Sequence, residues 1–239
     1  ARLVRDDFEG FLQREEWFRQ HGLPFRRGYL FYGPPGNGKT STIRVMTSHP
    51  AMSAFTLNFS DEAADDGTLS ALFAAAGRNA PALVIFEDLD RLFGKHAGMQ
   101  NPSNRTRITF QHLLGCLDGL GSQDGLIVVA TANDPTELDA AILRRPGRFD
   151  RVVGFPRPSP ALPATYLRYL ARGILGPPIL ATAAAQTDGF SFAQLREAYI
   201  AAGQLAYQRE GGTVLPGDLV EGIRSVRGGT LASGRRADG

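Results

Sequence analysis

Between residues 33 and 40 the chain reads Gly-Pro-Pro-Gly-Asn-Gly-Lys-Thr, and between 83 and 90 it reads Leu-Val-Ile-Phe-Glu-Asp-Leu-Asp. The first stretch has the spacing of a phosphate-binding loop. Gly33, Gly36 and Gly38 let the backbone curl so that successive N–H groups face one anion, Lys39 reaches the outer phosphates of a nucleotide, and Thr40 offers a hydroxyl to Mg2+. With Pro34, Pro35, Asn37 and Ser41, the segment from Gly33 to Ser41 is the expected binding site for ATP or ADP. The chain has only two lysines, Lys39 and Lys95, among many arginines, so Lys39 marks a place where a compact ammonium is needed instead of a planar fork.

The second stretch ends an apolar run in carboxylates. Adjacent acids at the end of a buried strand repel one another unless a cation is shared, which favours a metal role over simple capping. Glu87, last in the strand, is assigned to Mg2+ and its waters together with Thr40, and Asp88 to orienting an attacking water. Successive strand side chains diverge, so the two acids are expected to do separate jobs. Asp90 is left as a loop or interface acid. Asn133 closes the run Gly-Leu-Ile-Val-Val-Ala-Thr-Ala-Asn, where its amide could hold a water or a phosphate oxygen. Arg144, Arg145 and Arg148 cluster around Pro146 and Gly147, a turn suited to presenting guanidinium groups to phosphate.

These groups need elements to hold them. Apolar runs predict strands beginning near residues 28, 53, 82, 125 and 151, with helical patterns between them. The runs at 82–86 and 125–132 are almost unbroken in apolar content, as strands covered on both faces should be. The alternation predicts an α/β fold, a doubly wound parallel sheet of five strands over residues 1–157, entered by one amphipathic helix that stops at Gly22. Residues 158–228 read as a small helical lid domain, and 229–239 as a frayed tail.

Composition narrows the classes. At 239 residues and 43% hydrophobic content the chain can bury a full core. A net charge of +2 is too small to argue for nucleic acid, and the single Cys116 leaves no internal disulfide. His21, His49, His96 and His112 fall at none of the short spacings of zinc sites. No apolar run approaches the ~18 residues of a membrane span, so membrane attachment is expected only through an N-terminal element outside this sequence, and a cytoplasmic location otherwise.

Taken in order, Gly-Pro-Pro-Gly-Asn-Gly-Lys-Thr, Val-Ile-Phe-Glu-Asp-Leu-Asp, Val-Val-Ala-Thr-Ala-Asn-Asp and Ala-Ile-Leu-Arg-Arg-Pro-Gly-Arg-Phe-Asp-Arg, with a helical domain behind, resemble the AAA family of P-loop NTPases. The resemblance implies an ATPase that forms a homo-oligomeric ring, a hexamer or heptamer, and couples hydrolysis to remodelling or translocating a protein partner. It implies that Lys39 and Thr40 bind phosphate and Mg2+, that Asn133 is a polar sensor, and that Arg145 and Arg148 are arginine fingers acting in trans. The segment from Phe11 to Ser41 and the Glu87-Asp88 order resemble the branch typified by the mitochondrial Bcs-type chaperone, which moves a folded iron–sulfur protein across a membrane. Asp61, Glu62 and Ala63 stand where many relatives carry an aromatic pore loop, and Phe192, Ala193 and Gln194 where some carry an arginine sensor. Two other classes remain open: a nucleotide-gated assembly platform with negligible turnover, and a DNA-remodelling or clamp-loading ATPase.

Overall fold

In the computed structural model five parallel strands form one sheet in the order β2-β3-β4-β1-β5, with β1 at Arg26–Tyr32, β2 at Ser53–Thr56, β3 at Ala82–Phe86, β4 at Leu126–Ala132 and β5 at Arg151–Gly154. The structure describes residues 2–57, 64–93, 107–119, 124–139, 142, 147–209 and 212–229. The register sets Tyr32 of β1 beside Ala132 of β4, and Phe86 of β3 beside Ala130. The residues that follow these three strands therefore emerge together at the carboxyl edge, where ligands bind in such sheets.

Both faces of the sheet are covered, which explains the unbroken apolar runs. Val84 and Phe86 with Val128 and Ala130 pack under α4 (Asp66–Arg78) and α6 (Phe110–Gly119) on one face. Leu83 and Ile85 with Ile127 and Val129 pack on the other, against α1 (Arg2–Leu12) and α3 (Lys39–Thr47). A short helix, α5 (Leu89–Phe93), follows β3.

The lead-in is two helices, not the one expected: α1, then α2 (Glu15–Gln20) after a break in which Arg14 adopts φ −104° and ψ 10°. The reason is aromatic packing. Seven residues of continuous helix would hold Phe11 and Phe18 roughly 10 Å apart along the axis, whereas the break lets their rings meet edge-on at 5.6 Å while Phe25 stacks on Phe11 at 4.5 Å. Gly22, at φ 62°, then takes the left-handed conformation that ends the segment. The phenol of Tyr29 on β1 donates to Asp7 on α1 at 2.7 Å, tying the lead-in to the sheet. Burial, then the Asp7 hydrogen bond and charge, hold that phenol well above its ordinary pKa.

The backbone at residues 147–150 crosses directly over β1. A Cβ on Gly28 would lie 1.8 Å from the carbonyl oxygen of Arg148, so only glycine permits the approach. Gly28 N also donates to Asp150 Oδ2 at 3.2 Å.

The chain divides into two compact units, one holding residues to Gly33 and Lys39–Phe155, the other holding Pro34–Gly38 and the residues from Pro156 onward. In the second unit the described elements are the helices α7 (Leu162–Ala171), α8 (Pro177–Ala184), α9 (Phe192–Tyr207) and α10 (Pro216–Gly228). Their core is Leu167, Leu180, Leu195, Ala198, Leu219 and Ile223. Beyond Gly229 the expected tail lies outside the described residues. No helix among the described residues is long and apolar enough to cross a membrane.

Candidate functional site

The loop between β1 and α3 is built on three left-handed glycines, Gly33 at φ 134°, Gly36 at φ 79° and Gly38 at φ 101°. Gly33 is fixed in type by space as well, since a Cβ there would lie 2.4 Å from the carbonyl oxygen of Phe155. Gly33 N donates to Ala132 O at 3.2 Å, which extends the β1–β4 ladder to the first residue of the loop. Pro35 and Gly36 are exposed and Asn37 is buried. The Asn37 amide donates to Pro34 O at 3.3 Å, and its own oxygen is buried with no hydrogen-bond partner. Within the helical unit, to which residues 34–38 belong, Ala193 N donates to Gly36 O at 2.9 Å.

Lys39 opens α3 and is only 7% exposed. Its Nζ donates to Gly33 O and, at 3.0 Å, to Asn133 Oδ1. Burial lowers the pKa of this ammonium, and the charges of Asp88 and Asp90 partly restore it. One residue on, Thr40 Oγ1 donates to Glu87 Oε1 at 2.9 Å. Ser41 is exposed in the same helical turn.

Strand β3 ends at Phe86, so Glu87 and Asp88 both lie beyond it. Strand alternation is therefore not what separates them, contrary to the reading from sequence. Asp88 has φ 52°, a left-handed backbone rare outside glycine, and the two carboxylates have different partners, Thr40 for Glu87 and Asn133 with Arg91 for Asp88. Asp88 is held at three points: its N–H donates to Thr131 Oγ1 at 2.9 Å, its Oδ1 accepts from Asn133 Nδ2 at 3.4 Å, and its Oδ2 lies 3.4 Å from Arg91 Nη1. Asp90, expected as a loop or interface acid, lies in the first turn of α5, and its Oδ2 accepts from the backbone N–H groups of Asn133 at 2.8 Å and Asp134 at 3.2 Å.

The arginine turn is described only in part. Arg144 and Arg145 lie outside the described residues, as do Asp61, Glu62 and Ala63. Arg148 is 2% exposed and donates from Nε and Nη2 to Asp118 Oδ1 and Oδ2 of the same chain at 2.8 and 2.9 Å. Phe192–Gln194 form the first turn of α9, where the Gln194 side chain accepts from Ser191 N and Ser191 Oγ accepts from Gln194 N, a capping box.

Thr131 and Asp118 were missed from the sequence, and Asp90 was undervalued. For Thr131 a signal existed: a hydroxyl 2% exposed in an otherwise apolar strand needs a partner. Asp118 and Asp90 offered none, because their partners are 30 and 43 residues away.

The donor set fits a magnesium nucleotide. A buried ammonium that opens a helix beside a glycine-rich loop is suited to receive an anion. Thr40 Oγ1 and Glu87 Oε1 stand within hydrogen-bonding distance at 2.9 Å, two hard oxygens of the kind that Mg2+ takes.

Residues 29–157 match the profile of the ATPase family associated with various cellular activities, AAA. The human mitochondrial chaperone BCS1 is 39% identical over 153 residues, covering 62% of this chain and 36% of that protein. The probable mitochondrial chaperone bcs1 of Schizosaccharomyces pombe is 36% identical over 151 residues, 62% of this chain and 32% of its own. The ATP-dependent zinc metalloprotease FtsH 2 of Symbiobacterium thermophilum is 34% identical over 241 aligned residues, 96% of this chain and 41% of its own. The chain thus spans about a third to two fifths of the length of these relatives.

Proposed function

Because this chain belongs to the AAA family of ATPases, we propose that it binds ATP with Mg2+ at the carboxyl edge of its sheet and hydrolyses it to ADP and phosphate, as a ring-forming module acting on a protein partner. One observation carries the reading: Lys39 bonds to Asn133, Asn133 to Asp88, and the neighbouring Thr40 to Glu87, so the phosphate loop and the acidic edge form one hydrogen-bonded set.

When bound, the magnesium nucleotide supplies the bond to be broken and a cation that offsets phosphate charge. The chain does the rest. Lys39, whose Nζ donates to Gly33 O in this structure, would turn that ammonium to a phosphate oxygen. Thr40 and Glu87 would hold the Mg2+, each offering an oxygen. Asp88 holds a water on its carboxylate and accepts its proton, while the Asn133 amide fixes the carboxylate angle. Arg145 of a neighbouring protomer supplies further positive charge. Relatives named as chaperones and as an ATP-dependent protease support a protein partner. The absence of an aromatic among Asp61, Glu62 and Ala63 favours a partner handled folded over one threaded as an extended strand.

The test compares steady-state ATP turnover of the purified, assembled chain with that of Asp88→Asn, alongside binding of a fluorescent ATP analogue. The variant is expected to bind as the parent does and to lose turnover by on the order of 100-fold or more. A parent that turns over no faster than the variant would establish the nucleotide-gated platform instead.

A further inference from the structure

We propose that Asp90 is a positioning residue for the γ-phosphate end of the site, holding Asn133 where its amide addresses Lys39 and Asp88 together. The proposal rests on the ATPase reading above and adds a residue to it.

Asp90 lies in the first turn of α5, where an acid ordinarily just favours its own helix N-terminus. Its bonds go elsewhere. One oxygen, Oδ2, accepts from Asn133 N at 2.8 Å and Asp134 N at 3.2 Å, partners 43 and 44 residues away. These are the first two residues after β4, and the second of them caps the short 3-10 turn Pro135–Glu137. A single carboxylate oxygen thus ties the exit of β3 to the exit of β4. Without it, Asn133 would be the first residue of a loop, free to rotate about its own backbone. With it, the amide is fixed at 3.0 Å from Lys39 Nζ and 3.4 Å from Asp88 Oδ1.

The other oxygen, Oδ1, is buried and has no hydrogen-bond partner in the structure. A carboxylate with one buried oxygen left unpartnered is a poor choice for packing alone, and polar atoms in that condition need an explanation beyond stability.

The experiment uses the full chain in its assembled form, with Asp90→Ala, Asp90→Asn, Asn133→Ala and the double variant Asp90→Ala/Asn133→Ala. Turnover, KM for ATP, thermal stability and the ratio of ATP to ADP analogue affinities are measured for each. Displacements of about 1 Å can cost about 100-fold, so Asp90→Ala should lower kcat by roughly 10- to 100-fold with KM changed by less than about threefold. Asp90→Asn keeps an oxygen for the two N–H groups and should stay within about fivefold of the parent. In the Asn133→Ala background, removing Asp90 should cost less than about twofold more, because the group it positions is already gone.

Equal losses in the two backgrounds, or parent-like turnover in Asp90→Ala, would overturn the proposal while leaving the ATPase reading intact. A parent without turnover would sink the ATPase reading instead, and Asp90 is then judged on binding. Asp90→Ala and Asn133→Ala should lose the same preference for ATP over ADP, and unequal loss overturns the proposal. Should Asp90→Ala fail to fold, Asp90→Gln, which keeps an acceptor displaced by one methylene, is read in its place by the same criteria.

Discussion

Removing Asp118 tests whether Arg148 is committed to its own protomer or is free to reach a neighbour. Arg148 is 2% exposed and Asp118 36%, and the two share a bidentate pair at 2.8 and 2.9 Å. Charge-assisted hydrogen bonds contribute about 1.5–3 kcal/mol each, so the pair would give roughly 3–6 kcal/mol if fully buried. Hydration of the exposed carboxylate takes away about half of that. Asp118→Ala leaves a guanidinium in a nearly closed site and should cost about 2–3 kcal/mol. Arg148→Met keeps the apolar stem and leaves a carboxylate that water can reach, so it should cost less, about 1–2 kcal/mol. The single tryptophan, Trp17, belongs to the sheet unit and reports its unfolding by fluorescence in urea. A shift in midpoint at constant slope gives the free-energy change. A loss below about 0.5 kcal/mol for Asp118→Ala would refute the reasoning. Arg148 would then be available to a neighbouring protomer, as the family resemblance implies.

Three further outcomes follow from the same geometry. Mixing Arg145→Ala protein with Lys39→Ala protein should restore part of the ATP turnover that each lacks alone, because an intact finger then meets an intact phosphate loop; no recovery in confirmed mixed rings excludes a trans role for Arg145. Gly222→Ala would place a Cβ 2.2 Å from the carbonyl oxygen of Ala198, forcing α9 and α10 apart, whereas Gly217→Ala meets nothing within 4 Å. The first should destabilise the helical unit by about 1–3 kcal/mol or more and the second should be neutral or slightly stabilising, as read by hydrogen exchange in α9 and α10. The Tyr29 phenol has a folded pKa raised above its ordinary value of 10.0, mainly by burial, so its contribution to stability is full below pH 10 and falls as pH rises beyond it. Tyr29→Phe should be less stable than the parent at pH 8 by about 1 kcal/mol through loss of the Asp7 bond, and this gap should narrow above pH 10 in parallel urea titrations.

How much of this was legible depended on the range of the interaction. The strands β3 and β4 were readable because burial on both faces leaves no room for polar alternation, and the phosphate loop because its glycines meet a local backbone demand. That Glu87, Asp88 and Asn133 share one edge was readable because a parallel sheet gathers its strand exits there. The break between α1 and α2 was hidden, since either a long helix or two short ones satisfies the local spacing of Phe8, Phe11 and Phe18, and only Phe25 decides between them. Asp118 and Asp90 were hidden for the related reason that an acid near a helix end has a sufficient local explanation. Their partners come from strand order and register, which no window of sequence contains.

The order of the two acids follows from the same distinction between backbone and reach. Position 87 must span from the end of β3 to Thr40 in the first turn of α3, and the Glu87 carboxylate does so at 2.9 Å. Aspartate there would be shorter by one methylene, on the order of 1.5 Å, and would leave the hydroxyl out of bonding range. Position 88 makes the opposite demand, since its φ of 52° lies where most L-residues cost about 1–2 kcal/mol and where aspartate is among the few tolerated. A short side chain there also keeps the carboxylate within 3.4 Å of the Asn133 amide. Glutamate then aspartate therefore fits this edge: the longer arm where Thr40 of α3 is to be reached, and a residue that accepts a left-handed backbone where the chain turns.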